Sequence, residues 1–200
     1  MVLERNKLAE KMILALYALS ESTESINLNT FKRYIYLYYL TSAFLSGNTE
    51  SIDIVVDKGD IKIINFDSIL NDFYAREYIT LQNNQIIINE ELQHFVKEQM
   101  LKNEQGMIYS RYKEIRLFIN LLKSYNDQFI FTIFFSEPTF NKATVRGLKE
   151  IRSTNSKLNE LLKAFKTKVN NISIDEYDIL SYWMEFILKN YYIEAGEVNE

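Results

Sequence analysis

Apolar positions along the chain recur with two periods, one near 3.6 residues and one near 2, which alternate in blocks. Residues 3–20 put Leu8, Met12, Leu16 and Leu19 on one helical face with Ile13 and Tyr17 beside them, and the polar run of residues 20–25 ends the pattern. A second helix is predicted over residues 29–46, with Asn29 as its cap. Phe31, Tyr34, Ile35, Leu37, Tyr38, Tyr39, Leu40 and Phe44 cover most of its circumference, so the tyrosine run reads as buried core rather than a stacking platform for bases. Residues 52–56 and 61–64 are β-prone runs about an Asp57-Lys58-Gly59-Asp60 turn.

Residues 66–95 read as helix, strand, tight turn, strand, helix. Asp67 is the predicted N-cap, and Ile69, Leu70, Phe73 and Tyr74 form the apolar stripe. The β-prone residues 78–81 and 86–88 flank Gln82-Asn83-Asn84-Gln85, and asparagine tolerates the left-handed backbone of a tight hairpin. A helix followed by such a hairpin is the second half of a winged helix, and the earlier hairpin can join it in one small sheet. The presumed recognition helix carries Asp67, Asp72 and Glu77 against one base, Arg76, and the hairpin tip is uncharged. Phosphates would repel such a helix, which points to packing or protein contact instead of DNA reading.

A further helix starts at Asn89, with Glu90 and Glu91 at its positive end and Leu92, Phe95, Val96 and Met100 on its apolar side. Residues 103–106 are the best internal boundary. They separate a winged-helix-like domain over residues 1–103 from a helical domain over residues 107–200, and the two can pack as one unit. Residues 108–125 are helical by pattern, while residues 129–135 fit a buried strand or a buried helix equally. After a break at residues 136–139, Lys142, Arg146, Lys149 and Arg152 open a basic stretch reaching Lys168, with Lys142, Arg146 and Lys149 on one helical face, which reads as a solvated face meeting the acidic residues 169–200 or as a phosphate-facing surface. Leu158, Leu161, Leu162, Phe165 and Val169 mark an apolar face on the segment after residue 156. The last helix begins near Asp175-Glu176, and Tyr177, Leu180, Tyr182, Trp183, Phe186, Ile187 and Tyr191 make it aromatic on more than one side. The predicted class is α+β, mostly helical, with a winged-helix-like N-terminal half, small antiparallel hairpins and a helical C-terminal half.

Composition sharpens this picture. With 14 Tyr and 13 Phe in 200 residues, the chain has rings for a thick aromatic core or for a contact surface. A formal charge of −4 gives no overall pull toward nucleic acid or anionic lipid. The absence of cysteine excludes disulfides, thiol nucleophiles and thiolate metal sites, and a single histidine, His94, leaves little from which to build a relay. Neither residues 12–19 nor residues 129–135 approach the length of a membrane span. The expectation is a soluble, cytoplasmic protein that makes no membrane contact.

There is no Walker loop, dinucleotide turn, His–carboxylate metal motif or nucleophile elbow. Glu137 beside Pro138 and the Asp175/Glu176 pair are the acids open to general acid–base work, and neither has a partner at a meaningful spacing. Asp175, Glu176 and Asp178 read as complements of a helix dipole rather than a divalent-metal site. The chain is therefore expected to be no enzyme and to carry no cofactor.

The opening KMILALYAL helix, the segment EYITLQNNQIIINEELQHF and the closing LLKAFK…IDEYDILSYWMEFI resemble the middle component of bacterial ABC-three-component systems. Within that group the chain is most similar to the small accessory subunit of Lamassu-type antiphage defence. The resemblance spans most of the chain and rests on the pattern and order of elements, so no catalytic residue is carried over. It implies a non-catalytic subunit on the head of an SMC-like, Rad50-related ATPase, which helps couple DNA sensing to a nuclease-type effector. In that setting Tyr182, Trp183 and Phe186 are candidate partner contacts, and Lys142, Arg146, Lys149 and Arg152 are a candidate DNA-facing strip within the assembled complex. The competing expectations are a stand-alone winged-helix transcriptional regulator, and a small enzyme or phage-derived inhibitor.

Overall fold

A computed structural model of the chain describes residues 2–47, 50, 52–57, 60–140, 150–152, 156–168 and 174–197. Its helices are α1 (Val2–Ser20), α2 (Leu28–Leu45), α3 (Phe66–Ala75), α4 (Glu90–Phe95), α5 (Met107–Lys123), α6 (Asp127–Ser136), α7 (Lys157–Lys168) and α8 (Glu176–Glu197). The strands are β1 (Ser25–Asn27), β2 (Asp53–Asp57), β3 (Asp60–Ile63), β4 (Ile79–Gln82), β5 (Gln85–Ile88) and β6 (Glu150–Arg152). The fold is α+β, mostly helical, with small antiparallel sheets. Among the described residues no helix is long and apolar enough to cross a membrane.

The chain divides into two compact units, Met1–Ile35 with Ile63–Lys123, and Tyr36–Lys62 with Ser124–Glu200. This differs from the 1–103 and 107–200 division expected from the sequence. The boundary runs through α2, α5 groups with the N-terminal sequence, and residues 36–62 group with the C-terminal sequence.

In the first unit, β1, β5 and β4 form an antiparallel sheet in that order. Ile26 faces Ile86 and Ile79 faces Ile88 across the ladder, and all four are buried. Burying each such side chain stabilises by about 1.5–3 kcal/mol. Asn83 and Asn84 make the turn between β4 and β5 with φ of 50° and 61°, the left-handed pair that a two-residue hairpin needs. Helix α1 packs against α5, α3 and α4. Leu14, Ala15 and Ala18 are buried along with the predicted Leu8, Met12, Leu16 and Leu19, so α1 is surrounded on more than one face. Polar ties fix α5 along α1: Arg111 with Glu10, Tyr112 and Arg116 with Glu21, and Lys123 with Ser22. These ties account for α5 joining this unit. A π-helical turn, Val96–Met100, continues α4.

Helix starts are shifted from the sequence expectation. Asn27, not Asn29, caps α2, its Oδ1 accepting from the N–H groups of Asn29 (2.9 Å) and Thr30 (3.3 Å). Asn65 in a left-handed conformation (φ 68°) precedes α3, leaving Asp67 within its first turn instead of at the cap.

The second unit contains the second half of α2, the β2–β3 hairpin, α6, α7 and α8. Residues 34–40 of α2 are all buried, as the all-round apolar pattern predicts. The first hairpin does not join β4 and β5. It forms a separate sheet in the order β3-β2-β6, with Ile54 opposite Ile151. Residues 150–152 are thus a strand, where the basic stretch reads as helix; pairing with a strand about a hundred residues earlier outweighs the local pattern. Residues 127–136 are helical, which settles the strand-or-helix ambiguity. Asn126 caps them by accepting from the Phe129 N–H at 2.9 Å.

Candidate functional site

The site grows from the apolar stripe of α7. Leu158, Leu161, Leu162 and Phe165 follow the i, i+3, i+4, i+7 spacing of one helical face. Leu158 and Leu162 are buried, whereas Leu161 and Phe165 are each 43% exposed, so the described residues cover only part of the stripe. Helix α8 repeats the pattern. Ile179, Leu180, Trp183, Met184 and Leu188 are buried, whereas Tyr182 and Phe186 stand 53% and 59% exposed.

These two half-covered stripes face a common cleft of about 710 Å³. Its walls are Leu161, Leu162 and Phe165 from α7, and Ile179, Tyr182, Trp183, Phe186 and Ile187 from α8, with Ser136 and Pro138 at one end. Among the described residues the polar side-chain groups in this lining are the Ser136 and Tyr182 hydroxyls and the Trp183 indole N–H. Among the described residues no carboxylate, imidazole or amine lines it, and what these residues offer is apolar contact. The size and lining suit binding of an apolar group.

Several polar contacts hold the walls in place. Lys166 and Glu176 form an ion pair between α7 and α8, and the hydrogen bond from Lys166 holds the Glu176 carboxyl below its ordinary range. Both partners are partly exposed, so the pair is worth about 0–1 kcal/mol. Asp175 caps α8 by accepting from the Asp178 N–H at 2.8 Å, which is a structural use for these acids. The Thr139 hydroxyl accepts from the Lys157 N–H at 2.9 Å, at the first residue of α7.

Glu137 anchors that end. Its carboxylate is fully buried and accepts from the N–H of Thr139 (2.7 Å), the N–H of Phe140 (2.8 Å) and the Tyr36 hydroxyl (2.8 Å). Burial pushes the Glu137 carboxyl above its usual range despite these hydrogen bonds, and burial likewise raises the Tyr36 hydroxyl. Around it, Phe134 and Phe140 lie 4.7 Å apart and Tyr36 meets Phe134 edge-on at 5.1 Å.

Of the predicted partner contacts, Tyr182, Trp183 and Phe186 all line the cleft, but Trp183 is only 8% exposed and belongs chiefly to the core. The sequence reading missed the opposite wall, Leu161 and Phe165; the signal was the α7 stripe, which exceeds what its neighbours cover. Of the basic strip, Lys142, Arg146 and Lys149 lie outside the described residues, and Arg152 sits in β6 opposite Asp53. His94 is exposed, and among the described residues no group of three or more His, Cys, Asp or Glu is placed to hold a metal. The exposed side of α3 presents Asp67 and Asp72, the latter paired with Arg5. No protein-family model, curated protein or solved structure matches this chain.

Proposed function

We propose that the chain is a non-catalytic accessory subunit of an SMC- or Rad50-like ATPase complex in antiphage or anti-plasmid defence, bridging the DNA-sensing ATPase and a nuclease-type effector. The observation that carries a protein-contact role is the open cleft between α7 and α8, walled by exposed Leu161, Phe165, Tyr182 and Phe186. A contiguous apolar surface of this kind is what a protein interaction site presents.

The first unit supports the same reading. Its order α1-β1-α2-α3-β4-β5 and sheet order β1-β5-β4 support reading it as a winged helix, with the β2–β3 hairpin inserted after α2. In the proposal this winged helix serves protein contact, because α3 carries Asp67 and Asp72 and no Lys or Arg. The resemblance to the middle component of ABC-three-component systems supplies the identity of the partners. DNA meets the assembled complex, with Lys142, Arg146, Lys149 and Arg152 as the strip of this subunit that would face it.

A tagged pull-down from the native operon, read by mass spectrometry, tests the proposal. Recovery of a long coiled-coil ATPase together with an effector is the expected result. A lone homodimer that binds specific duplex DNA would overturn it in favour of a transcriptional regulator. For the strip, replacing all four bases with alanine is expected to flatten the salt dependence of DNA binding by the complex by up to about 0.9 log units per phosphate contact. An unchanged slope removes the strip from the proposal.

A further inference from the structure

We infer that the cleft between α7 and α8 holds an amphipathic α-helix of the partner protein, with an acidic edge along α7 and a basic edge along α8. This deepens the subunit proposal and rests on it for the existence of a protein partner.

Shape favours a helix. On the α8 wall Ile179, Tyr182, Trp183, Phe186 and Ile187 span nine residues, about 12 Å over eight steps of 1.5 Å, which is room for two turns of a second helix. Backbone chemistry favours it too. Both long walls are α-helices, whose N–H and C=O groups bond within each helix, so an extended peptide would find no ladder to join. It would bury its own backbone groups unpaired among Leu161, Phe165, Tyr182 and Phe186. A helix brings its backbone already satisfied and needs only apolar side chains at i, i+3, i+4 and i+7.

Charge sets the edges. By helical spacing Lys157 (i−4 from Leu161) and Lys168 (i+3 from Phe165) flank the stripe of α7, whereas Asp178 and Glu185 (i−4 and i+3 from Tyr182) flank that of α8 against Lys189 (i+3 from Phe186). Setting aside the mutual Lys166–Glu176 pair leaves the sign of each wall unchanged. A nucleic acid or an anionic lipid would be drawn to α7 and repelled by α8. A helix with acids on one flank and bases on the other complements both walls.

The test uses the full chain and synthetic tryptophan-free peptides of about four helical turns. The parent peptide carries Leu and Phe on the apolar face, Glu on one flank and Lys on the other. Trp183, the single tryptophan, lines the cleft, so its emission reports occupancy directly. The parent is expected to give a saturable change in that emission. Binding is expected to be about tenfold weaker for a peptide with a central proline and for a Phe186→Ser protein. Peptides with Glu on both flanks, or Lys on both, are expected to bind a few-fold more weakly at low salt, with the difference vanishing at high salt. Phe186 and Tyr182 are more than half exposed, so Phe186→Ser and Tyr182→Ser both serve as variants, with circular dichroism checking the fold. A proline peptide that binds as tightly as the parent overturns the helical occupant, equal binding of all flank variants overturns the charged edges, and no Trp183 response to any peptide overturns the inference entirely. Peptide failure with intact recovery of the ATPase leaves the subunit proposal standing. Loss of ATPase recovery by the wild-type chain sinks the subunit proposal whatever the peptides do.

Discussion

The Tyr36 hydroxyl donates a 2.8 Å hydrogen bond to the Glu137 carboxylate, 101 residues further along the chain, with both side chains fully buried. Glu137 also holds the backbone N–H groups of Thr139 and Phe140, and Thr139 in turn receives the first N–H of α7. A contact between distant segments thereby fixes the end of the cleft at Pro138 and the start of one of its walls.

Tyr36→Phe removes one donor but leaves Glu137 those of Thr139 and Phe140, and is expected to lower stability by about 1.5–3 kcal/mol in urea unfolding. Glu137→Ala strands the Tyr36 hydroxyl, the Thr139 hydroxyl and two backbone N–H groups at once, so its cost is expected to be larger, on the order of 3–5 kcal/mol. Equal stability of the two variants would contradict a central role for the carboxylate.

The same carboxylate gives a pH dependence of definite sign. Burial raises its pKa in the folded state above the unfolded value, so the folded protein binds more protons between those two values. In that window stability falls as pH rises, and this carboxylate's contribution improves on acidification from neutral pH toward the ordinary Glu range. Glu176 acts in the opposite sense. Lys166 lowers its pKa, so its contribution is present above the ordinary range and is lost as pH falls through the lowered value. Melting temperatures of wild type and Glu137→Gln should therefore converge as pH is lowered toward the ordinary Glu range, with the variant gaining relative to wild type near neutrality. A constant difference across the range would show that Glu137 keeps an unshifted pKa.

The cap of α2 separates two neighbouring asparagines. Asn27→Ala removes the acceptor for two N–H groups at the helix start and is expected to cost about 1 kcal/mol. Asn29→Ala, at an exposed position inside the first turn, is expected to change stability by less than about 0.5 kcal/mol. Equilibrium unfolding of the pair reads the difference. A larger loss at Asn29 would return the cap to the position suggested by the sequence.

Local features were the ones legible in the sequence. The hairpin of β4 and β5 follows from Asn83-Asn84, whose side chains tolerate the backbone that the turn requires, and the burial of α2 follows from an apolar circumference. Contacts with distant partners were not legible. Nothing near Ile54 announces Ile151 as its neighbour, and nothing near Glu137 announces Tyr36. Residues 129–135 are apolar at almost every position, so periodicity carries no information there, and the cap at Asn126 is the feature that marks a helix. The cleft lies between these cases. The stripe of α7 is plain in the sequence, but that Leu158 and Leu162 turn inward while Leu161 and Phe165 stay uncovered depends on where α8 ends its coverage.

The cleft aromatics should separate under mutation by burial alone. Trp183, at 8% exposure, contributes most of its surface to the core, and Trp183→Ala leaves a cavity that the surrounding helices fill only in part. Its cost is expected to be about 3–5 kcal/mol, enough to mask any effect on partner binding behind partial unfolding. Tyr182→Ala and Phe186→Ala remove side chains that are 53% and 59% exposed, and are expected to cost well under half as much. In urea unfolding with recovery of partner measured alongside, Trp183→Ala should lose both stability and partner, whereas Phe186→Ala should lose partner and keep its fold. A Phe186→Ala protein that unfolds as readily as Trp183→Ala would place Phe186 in the core and close the cleft as a docking surface.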